Sequence, residues 1–207
     1  MHGFARIEIW TVLSTREIND HTTEICLCLR DSERTNAIWP HKFELFLRIT
    51  AGKTLFIDLT SRNTGNTPIS ITEALHTYFS IGDASRIRIS GLDKCDYIDK
   101  ADGDKAKTQI GDVAISSETV RIYVNTKADC IIDDPVIDRK VAVAKKNSDT
   151  TVVWNPWIEK SKIMPDLSDG DYQTMVCVET AKTNNDIAVI APGKEHTMST
   201  EISIIRQ

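Results

Sequence analysis

The sequence predicts an all-β protein, either a sandwich or a barrel. About a dozen short stretches among the 207 residues alternate apolar with polar side chains or are rich in β-branched and aromatic residues, as strands with a buried face require. Turn-forming residues separate these stretches at short intervals, a spacing typical of sandwiches and barrels. No long stretch repeats its apolar residues with a helical period, and only 157–162 is a weak helix candidate.

The first third of the chain predicts strands joined by short polar turns. The apolar run Ile7–Leu13 predicts the first strand, and alternation predicts two more at Glu24–Arg30 and His41–Thr50. Between them, Arg30–Ala37 is polar and turn-like. Thr54–Thr60 follows a short glycine-containing link and predicts a hairpin with the strand before it.

The remaining strands are predicted from shorter runs of the same kind. Asp93–Gly111 is rich in Asp, Lys and Gly and predicts a surface excursion with one short strand, whereas Pro165–Asp171 predicts a loop. The predicted strands of this part of the chain are Ile69–Ile71, Thr77–Ile81, Arg86–Ser90, Tyr97–Asp99, Val120–Asn125, Cys130–Ile132, Lys140–Ala144, Thr150–Trp154, Met175–Glu179, Ile187–Ile190 and Glu201–Ile205. Without an internal repeat or a low-complexity linker, 1–207 is predicted to be a single domain.

Composition and charge exclude several classes of function. Hydrophobic residues make up 41% and charged residues 27% of the chain, which is typical of a globular protein and not of a disordered one. The net charge of −5 gives no footprint for nucleic acid or an anionic membrane. A small anionic substrate stays possible, because a few local arginines hold a phosphate even on an acidic protein.

Targeting and metal signals are also missing from the sequence. No apolar run of about 18 residues predicts a membrane helix, and no leader precedes the first strand. The five cysteines include no CxxC pair, and no histidine cluster has zinc-site spacing. We therefore expect reduced thiols, a cytoplasmic protein, no metal and no cofactor. Because a specific-looking motif stands at 2–6, we also expect that the chain lacks some N-terminal strands.

His76 is the first candidate for chemistry. It lies in the stretch 71–83, between two short extended runs, where a rigid sheet can aim an imidazole into a cleft. A single histidine is more often a satisfied structural residue than a catalyst, so this reading needs a partner. Glu179, at the exit of the apolar strand Met175–Glu179, is the candidate partner, because partial burial raises a carboxyl pKa and suits it to general base catalysis. Strand ends also carry many solvated carboxylates.

The turn Trp154-Asn155-Pro156-Trp157 allows two interpretations of equal weight. In one, the indoles of a packed turn fill the edge of the core. In the other, the aromatic faces stack on a sugar while Asn155 binds its hydroxyl groups.

Five motifs together resemble a known family. They are HGFAR at 2–6, EALHTYFSIGD at 73–83, WNPWIEKSKIMPD at 154–166, YQTMVCVETA at 172–181 and PGKEHTMS at 192–199. In this order they are similar to the hexose-6-phosphate mutarotases of the aldose 1-epimerase superfamily. The resemblance implies a galactose-mutarotase-like β-supersandwich and the interconversion of the α and β anomers of a hexose 6-phosphate, with glucose 6-phosphate as the first expectation.

The resemblance also implies roles for individual residues. His76 of the ALH motif would protonate the ring oxygen, and Glu179 of the VET motif would remove the proton from the C1 hydroxyl. Arg6 matches a substrate-contacting arginine, whose planar fork of donors suits a phosphate. His2 belongs to the same motif and is expected to line the same pocket.

Two departures from the family pattern support an alternative function. Strands that usually precede the HGFAR motif are absent from the sequence, and Val120 stands where a substrate-binding Asp is expected. The alternative is therefore a non-catalytic module that binds or senses a sugar phosphate. A mutarotase of neutral sugars is a third possibility, which the Arg6 motif disfavours. The sequence leaves the oligomeric state open.

Overall fold

A computed structural model describes residues 2–205, and antiparallel sheets dominate it. The larger sheet has eight strands, and the smaller has seven. The larger sheet runs in the order β1 (Thr11–Asn19), β2 (Thr22–Arg30), β3 (Phe43–Ala51), β4 (Thr54–Asn63), β17 (Glu195–Ile205), β13 (Arg139–Lys146), β12 (Cys130–Asp134) and β8 (Arg88–Ser90). The all-β prediction is confirmed.

The smaller sheet carries the residues of greatest interest. Its order is β10 (Lys105–Thr108), β9 (Asp96–Asp99), β11 (Thr119–Tyr123), β14 (Thr150–Asn155), β15 (Met175–Lys182) and β6 (Glu73–Leu75), and β7 (Tyr78–Ser80) also pairs with β15. A third sheet has two strands, β5 (Ile69–Ile71) and β16 (Ala188–Ile190). The helices are α1 (Glu33–Ile38), α2 (Trp157–Ser161) and the 3-10 turns Phe4–Ile7, Lys100–Asp102 and Asp171–Gln173.

The main core lies between the two large sheets. Strands of both contribute fully buried side chains to it, among them Ile132 of the larger sheet and Tyr123, Val176 and Val178 of the smaller. β15 is buried along its whole length, because its apolar residues Val176 and Val178 face this core while the opposite face is covered as well. A strand buried on both faces is a rigid support for functional side chains.

Two predicted elements of the first third of the chain differ from the structure. The stretch Ile7–Leu13 is not one strand, because the 3-10 turn Phe4–Ile7 is tied by a hydrogen bond from Trp10 Nε1 to the carbonyl oxygen of Ala5 (2.9 Å), and the strand begins only at Thr11. The turn-like stretch Arg30–Ala37 includes all but the last residue of α1. Ser32 caps this helix, with its side chain accepting from Thr35 N–H while the Thr35 hydroxyl accepts from Ser32 N–H.

Other boundaries differ by shorter distances. β6 and β10 were not predicted, because each is only a few residues long and lacks a clean alternation of apolar residues. β17 begins at Glu195, six residues before the predicted start, since its polar first half pairs with β4 in the sheet. No helix within residues 2–205 is long and apolar enough to cross a membrane.

Candidate active site

The register of the smaller sheet brings His76 and Glu179 together. β6 and β7 both pair with β15, with Leu75 opposite Thr180 and Tyr78 opposite Cys177. Counting one residue on from Leu75 and one back from Thr180 places His76 directly across from Glu179. The ladder is interrupted there, and the Thr77 N–H bonds back to the Leu75 carbonyl oxygen (3.0 Å). His76 Nε2 lies 3.3 Å from Glu179 Oε1.

The same register places further side chains on the face of β15 that carries Glu179. Alternate residues of a strand share a face, so Cys177 stands beside Glu179 and Tyr78 beside His76. On the next strand, Trp154 lies opposite Cys177. These four residues and Trp154 form the outward cluster, on the face of β15 that looks away from the main core.

Glu179 is a buried carboxyl group that pairs with His76. Its side chain is only 6% exposed, and no residue in the described range 2–205 donates a hydrogen bond to it. Because burial penalises the charged form, the pKa of Glu179 is raised to about 8. The group therefore carries a proton at neutral pH.

Aromatic rings hold His76 from three sides. The Tyr78 ring is stacked on the imidazole with 4.8 Å between centroids, and Trp154 (5.8 Å) and His2 (4.9 Å) approach edge-on. Burial, together with the charges of His2 and Arg6, lowers the pKa of His76 to about 4. His76 is therefore neutral at neutral pH and able to accept a proton.

A large, mostly apolar cavity opens beside His76. Its volume is about 1000 Å³, and it is lined by the N-terminal segment, by β3 to β6 and by the end of α1. His2, Arg6, His76 and Tyr78 belong to its lining, whereas Glu179 adjoins it through His76. An apolar cavity with a few convergent polar groups is the usual form of a small-molecule site.

Arg6 places a free cation in this cavity. It is exposed on the 3-10 turn Phe4–Ile7, and no carboxylate of residues 2–205 lies within ion-pairing distance of it. A guanidinium without a protein partner is available to an anionic ligand. His2 lines the same cavity, as predicted from its motif, and its pKa is lowered by burial and by the charge of Arg6.

Asn155 is not brought to the cavity. It is fully buried, and its amide group donates to the carbonyl oxygens of Tyr172 (2.7 Å) and Met175 (2.9 Å) and accepts from the backbone N–H of Trp157 (2.9 Å). Trp157 packs edge-on against the Tyr172 ring. This placement favours the packed-turn interpretation, in which Asn155 ties the end of β14 to the start of β15, over a sugar contact.

Val120 lies in the same row of the sheet as Tyr78, with Trp154 and Cys177 between them. It pairs with Trp154, which pairs with Cys177, and it packs against Trp154, Met175 and Cys177. The aspartate that the motif comparison leads us to expect is therefore replaced by an apolar group that packs next to the outward cluster.

A second His–carboxylate pair lies on the opposite face of the sheet, and its Glu73 and the neighbouring Ser61 also line the cavity. Glu73 Oε1 is 3.2 Å from His196 Nε2, and the Ser61 hydroxyl donates to Glu73 Oε2 (3.1 Å). Ser61 and His196 are neighbours in the larger sheet, and Glu73 is paired with Lys182 in the smaller. This second pair therefore connects the two sheets. Burial raises the pKa of Glu73 to about 7, although Ser61 and Lys182 oppose the shift.

Sequence reasoning overlooked Tyr78, Cys177 and Glu73. The first two could have been found, because each is two residues from a predicted site residue along a strand and so shares its face. The Glu73–His196 pair joins distant parts of the chain, and no local sequence pattern predicts it.

Comparisons with known proteins agree with the fold and the motifs. The family described as Aldose 1-epimerase matches residues 1–203. Proteins named "Putative glucose-6-phosphate 1-epimerase" are 36% identical over 203 residues in Cenchrus ciliaris, covering 94% of this chain and 61% of the relative, and 38% identical over 181 residues in Escherichia coli (strain K12), covering 87% and 60%.

Solved structures give the same result. The crystal structure of a "putative mutarotase (YeaD)" from Salmonella typhimurium superposes with a TM-score of 0.91 at 31% identity and covers 99% of this chain and 68% of that one. The chain spans about three-fifths of the length of the curated relatives that it matches. With a family match over nearly every residue, the chain belongs to the aldose 1-epimerase family.

Proposed function

We propose that this protein interconverts the α and β anomers of a hexose 6-phosphate, with glucose 6-phosphate as the first substrate to test. The observation that carries the proposal is the 3.3 Å approach of His76 Nε2 to Glu179 Oε1 beside a cavity that Arg6 lines without a carboxylate partner in the described part of the chain. The names of the relatives from Cenchrus ciliaris and Escherichia coli support the substrate class.

The chemistry needs one acid and one base, and the pair supplies both. Between a His76 pKa of about 4 and a Glu179 pKa of about 8, the two groups together hold a single titratable proton. A transfer across 3.3 Å moves that proton between carboxyl and imidazole without changing the net charge. Either group of the pair can therefore donate a proton to a substrate while the other group accepts a proton from it.

In the proposed reaction, His76 donates its proton to the ring oxygen while Glu179 removes the proton of the C1 hydroxyl group. The bond between C1 and the ring oxygen breaks, and its electron pair stays on that oxygen as the free aldehyde forms. Rotation about the C1–C2 bond presents the other face of the aldehyde. Ring closure then reverses both transfers and restores the original protonation of the pair.

The size of the expected acceleration follows from the same two groups. A positioned acid or base contributes a factor of about 10²–10⁴. Mutarotation proceeds slowly without a catalyst through acid and base catalysis by water, so no metal or covalent intermediate is needed in the proposal. The stacked Tyr78 ring and the rigid strand β15 limit the rotation of His76 and Glu179, which preserves the alignment of the two transfers.

Arg6 is the proposed ligand of the phosphate group. Its guanidinium faces the cavity from the N-terminal turn without a protein carboxylate among the described residues. His2, which lies edge-on to His76, would then line the sugar end of the same site.

A second candidate function is a non-catalytic module for sugar phosphates. Val120 favours it, because an apolar side chain stands where the family motif places a substrate-binding carboxylate. The loss of one buried hydrogen bond to a hydroxyl group costs about 1–3 kcal/mol of binding. Such a module would bind the ligand, and its binding would be insensitive to a His76→Ala substitution.

The test is anomer exchange of glucose 6-phosphate, followed by NMR magnetisation transfer. Wild type is compared with Glu179→Gln and with Glu17→Gln, an exposed carboxylate on β1 that serves as the matched control. Exchange that is fast in wild type and in the control and is lost in Glu179→Gln supports the proposal. A folded wild type that binds the sugar phosphate without accelerating exchange would transfer support to the binding module.

A further inference from the structure

Cys177 is a buried thiol that the proposed reaction does not use. It stands beside Glu179 on the same face of β15 and opposite Tyr78. One nitrogen of His76, the sulfur of Cys177 and one carboxylate oxygen of Glu179 all lie within 4.8 Å of one another. Three groups of different chemistry therefore converge on a single point next to the cavity.

The spacing suits a tetrahedral metal ion. Two nitrogen or oxygen ligands at the zinc bond length of ~2.0 Å are roughly 3.3 Å apart at the tetrahedral angle. The distance from His76 Nε2 to Glu179 Oε1 is 3.3 Å. A sulfur bonded at ~2.3 Å would stand about 3.5 Å from each of them. Since the three ligand atoms lie within 4.8 Å of one another, the sulfur would have to come closer by at most about 1.3 Å.

The carboxylate of Glu179 is a second observation that points to a ligand. Its side chain is more than nine-tenths buried, is directed at His76 and receives no hydrogen bond from residues 2–205. A metal ion would neutralise this group and the thiolate together. A metal ion could enter from the cavity past His76, which is partly exposed and lines it. Three protein ligands leave the fourth tetrahedral coordination position to a water molecule.

We propose that His76, Cys177 and Glu179 form a site for a soft divalent cation of the zinc class, and that its occupancy inhibits the protein. The nitrogen, sulfur and oxygen donors favour Zn²⁺ or Co²⁺ over Mg²⁺ and Ca²⁺, which prefer oxygen ligands alone. Binding releases the thiol proton of Cys177 and the proton shared by His76 and Glu179 to solvent. The inhibitory part rests on the proposed function, because the metal would occupy the acid and the base at once.

A purely structural role for Cys177 makes a different prediction about metal binding. It packs with Trp154 and Met175, and as a purely apolar core residue it would bind no metal. Burial raises the pKa of its thiol, so the proton must be displaced and binding should strengthen as pH rises.

The first experiment titrates the metal-free protein with Co²⁺ and records the charge-transfer absorption of a cobalt–thiolate bond. Wild type is compared with Cys177→Ser and with Cys130→Ser, a control for a buried cysteine in the larger sheet. We expect the thiolate band in wild type and in the control. In Cys177→Ser the band should be absent and the affinity at least about 10-fold weaker, since even groups that only orient metal ligands contribute that much.

A second variant protects the test against a folding defect. His76→Ala removes a partly exposed side chain, and His21→Ala is its exposed control on the β1–β2 turn. Weaker Co²⁺ binding in His76→Ala alone supports the site. The absence of the thiolate band in folded wild type, or its persistence in Cys177→Ser, overturns the proposal.

The inhibitory part is measured separately by adding Zn²⁺ to the anomer-exchange assay. We expect exchange to stop as the site fills and to return when a chelator is added. A thiolate band without inhibition of an active protein would overturn the inhibitory role. A protein with no exchange activity would contradict the proposed function, while the cobalt titration would still decide whether the metal site exists.

Discussion

Two His–carboxylate pairs occur on opposite faces of the smaller sheet, and their surroundings differ. The distances are almost equal, 3.3 Å for His76–Glu179 and 3.2 Å for His196–Glu73. Burial raises the pKa of both carboxyl groups, to about 8 and about 7 respectively. By these measures alone, neither pair could be singled out as the site of chemistry.

The partners of the carboxyl groups distinguish the pairs. Glu73 accepts a hydrogen bond from Ser61 and feels the charge of Lys182, whose own ion pair is with Asp186. Glu179 has no such donor among residues 2–205, and its imidazole partner is stacked on Tyr78. Glu73, which is held by a hydrogen-bond donor and a nearby cation, therefore suits a structural link between the two sheets. Glu179, which has neither, is better suited to exchange protons with a ligand.

The largest expected difference between the pairs is in catalysis. Glu179→Gln should lower kcat/KM for anomer exchange by about 10²–10⁴, because it removes one of the two proton-transfer groups. Glu73→Gln should lower it by less than about 10-fold, because Glu73 lines the cavity but is not one of the two groups that transfer protons in the proposed reaction. Saturation kinetics on both variants, with circular dichroism as a check of folding, measure the contrast. Equal losses in the two variants would remove the distinction.

The second difference is in the pH profile. Since the proposed reaction needs one proton on the His76–Glu179 pair, kcat/KM should form a plateau between about pH 4 and about pH 8 and fall roughly tenfold per unit beyond either limit. Glu73→Gln should leave both limits in place, because its side chain faces away from the outward cluster. A limit that moves by more than about one unit in Glu73→Gln would show that the two pairs titrate together.

The third difference is in stability at high pH. The folded pKa of Glu179, about 8, lies above the unfolded value of 4.5, so the folded state holds the proton more tightly. Its contribution to stability is complete below about pH 4.5 and is lost as pH rises through about 8. Glu179→Gln has no charge to bury and should exceed wild type by about 1 kcal/mol or more above pH 8. Urea unfolding at pH 5 and pH 9 tests this, and a gain of equal size at both values would contradict it.

The smallest expected effect comes from the hydroxyl group that supports Glu73. Ser61→Ala removes one donor to a buried carboxyl group and should destabilise the fold by about 1 kcal/mol. The limits of the pH profile should stay unchanged, because Ser61 lines the cavity but contacts neither His76 nor Glu179 through a hydrogen bond. Thr64→Ala, on the turn after β4, is a neutral control for the loss of a hydroxyl group. A displaced limit in Ser61→Ala alone would connect the two faces.

Much of the fold follows from the sequence because alternation is a local signal. Strands such as β2, β3 and β4 begin and end within a few residues of their predicted bounds, since runs of apolar and β-branched residues bounded by turns mark each of them in the sequence. The helix α1 was missed because its cap uses Thr35 in place of the usual Glu or Gln, and because its six residues are too few to show a period.

The candidate site was only partly predictable for the same reason. His76 and Glu179 emerged from motifs, and two-residue periodicity was sufficient to add Tyr78 and Cys177. The amide of Asn155, which sequence reasoning offered to a sugar, is consumed by three backbone contacts that span up to 20 residues. Such contacts depend on how strands pair across the sheet, which a local pattern does not reveal.

The pairing of β6 and β7 with β15 is interrupted at His76 and Thr77, where a regular sheet and the candidate site make opposite demands on the backbone. The pairings on either side keep the same register, so two rungs are left out of an otherwise continuous pairing with β15. A sequence that filled both rungs would form a more regular sheet and hold its backbone more firmly. It would also turn the imidazole into one more cross-strand neighbour of Glu179, with less freedom to take part in the proposed proton transfers. At this point in the fold, a flaw in the sheet is the feature most worth preserving when the protein is redesigned for stability.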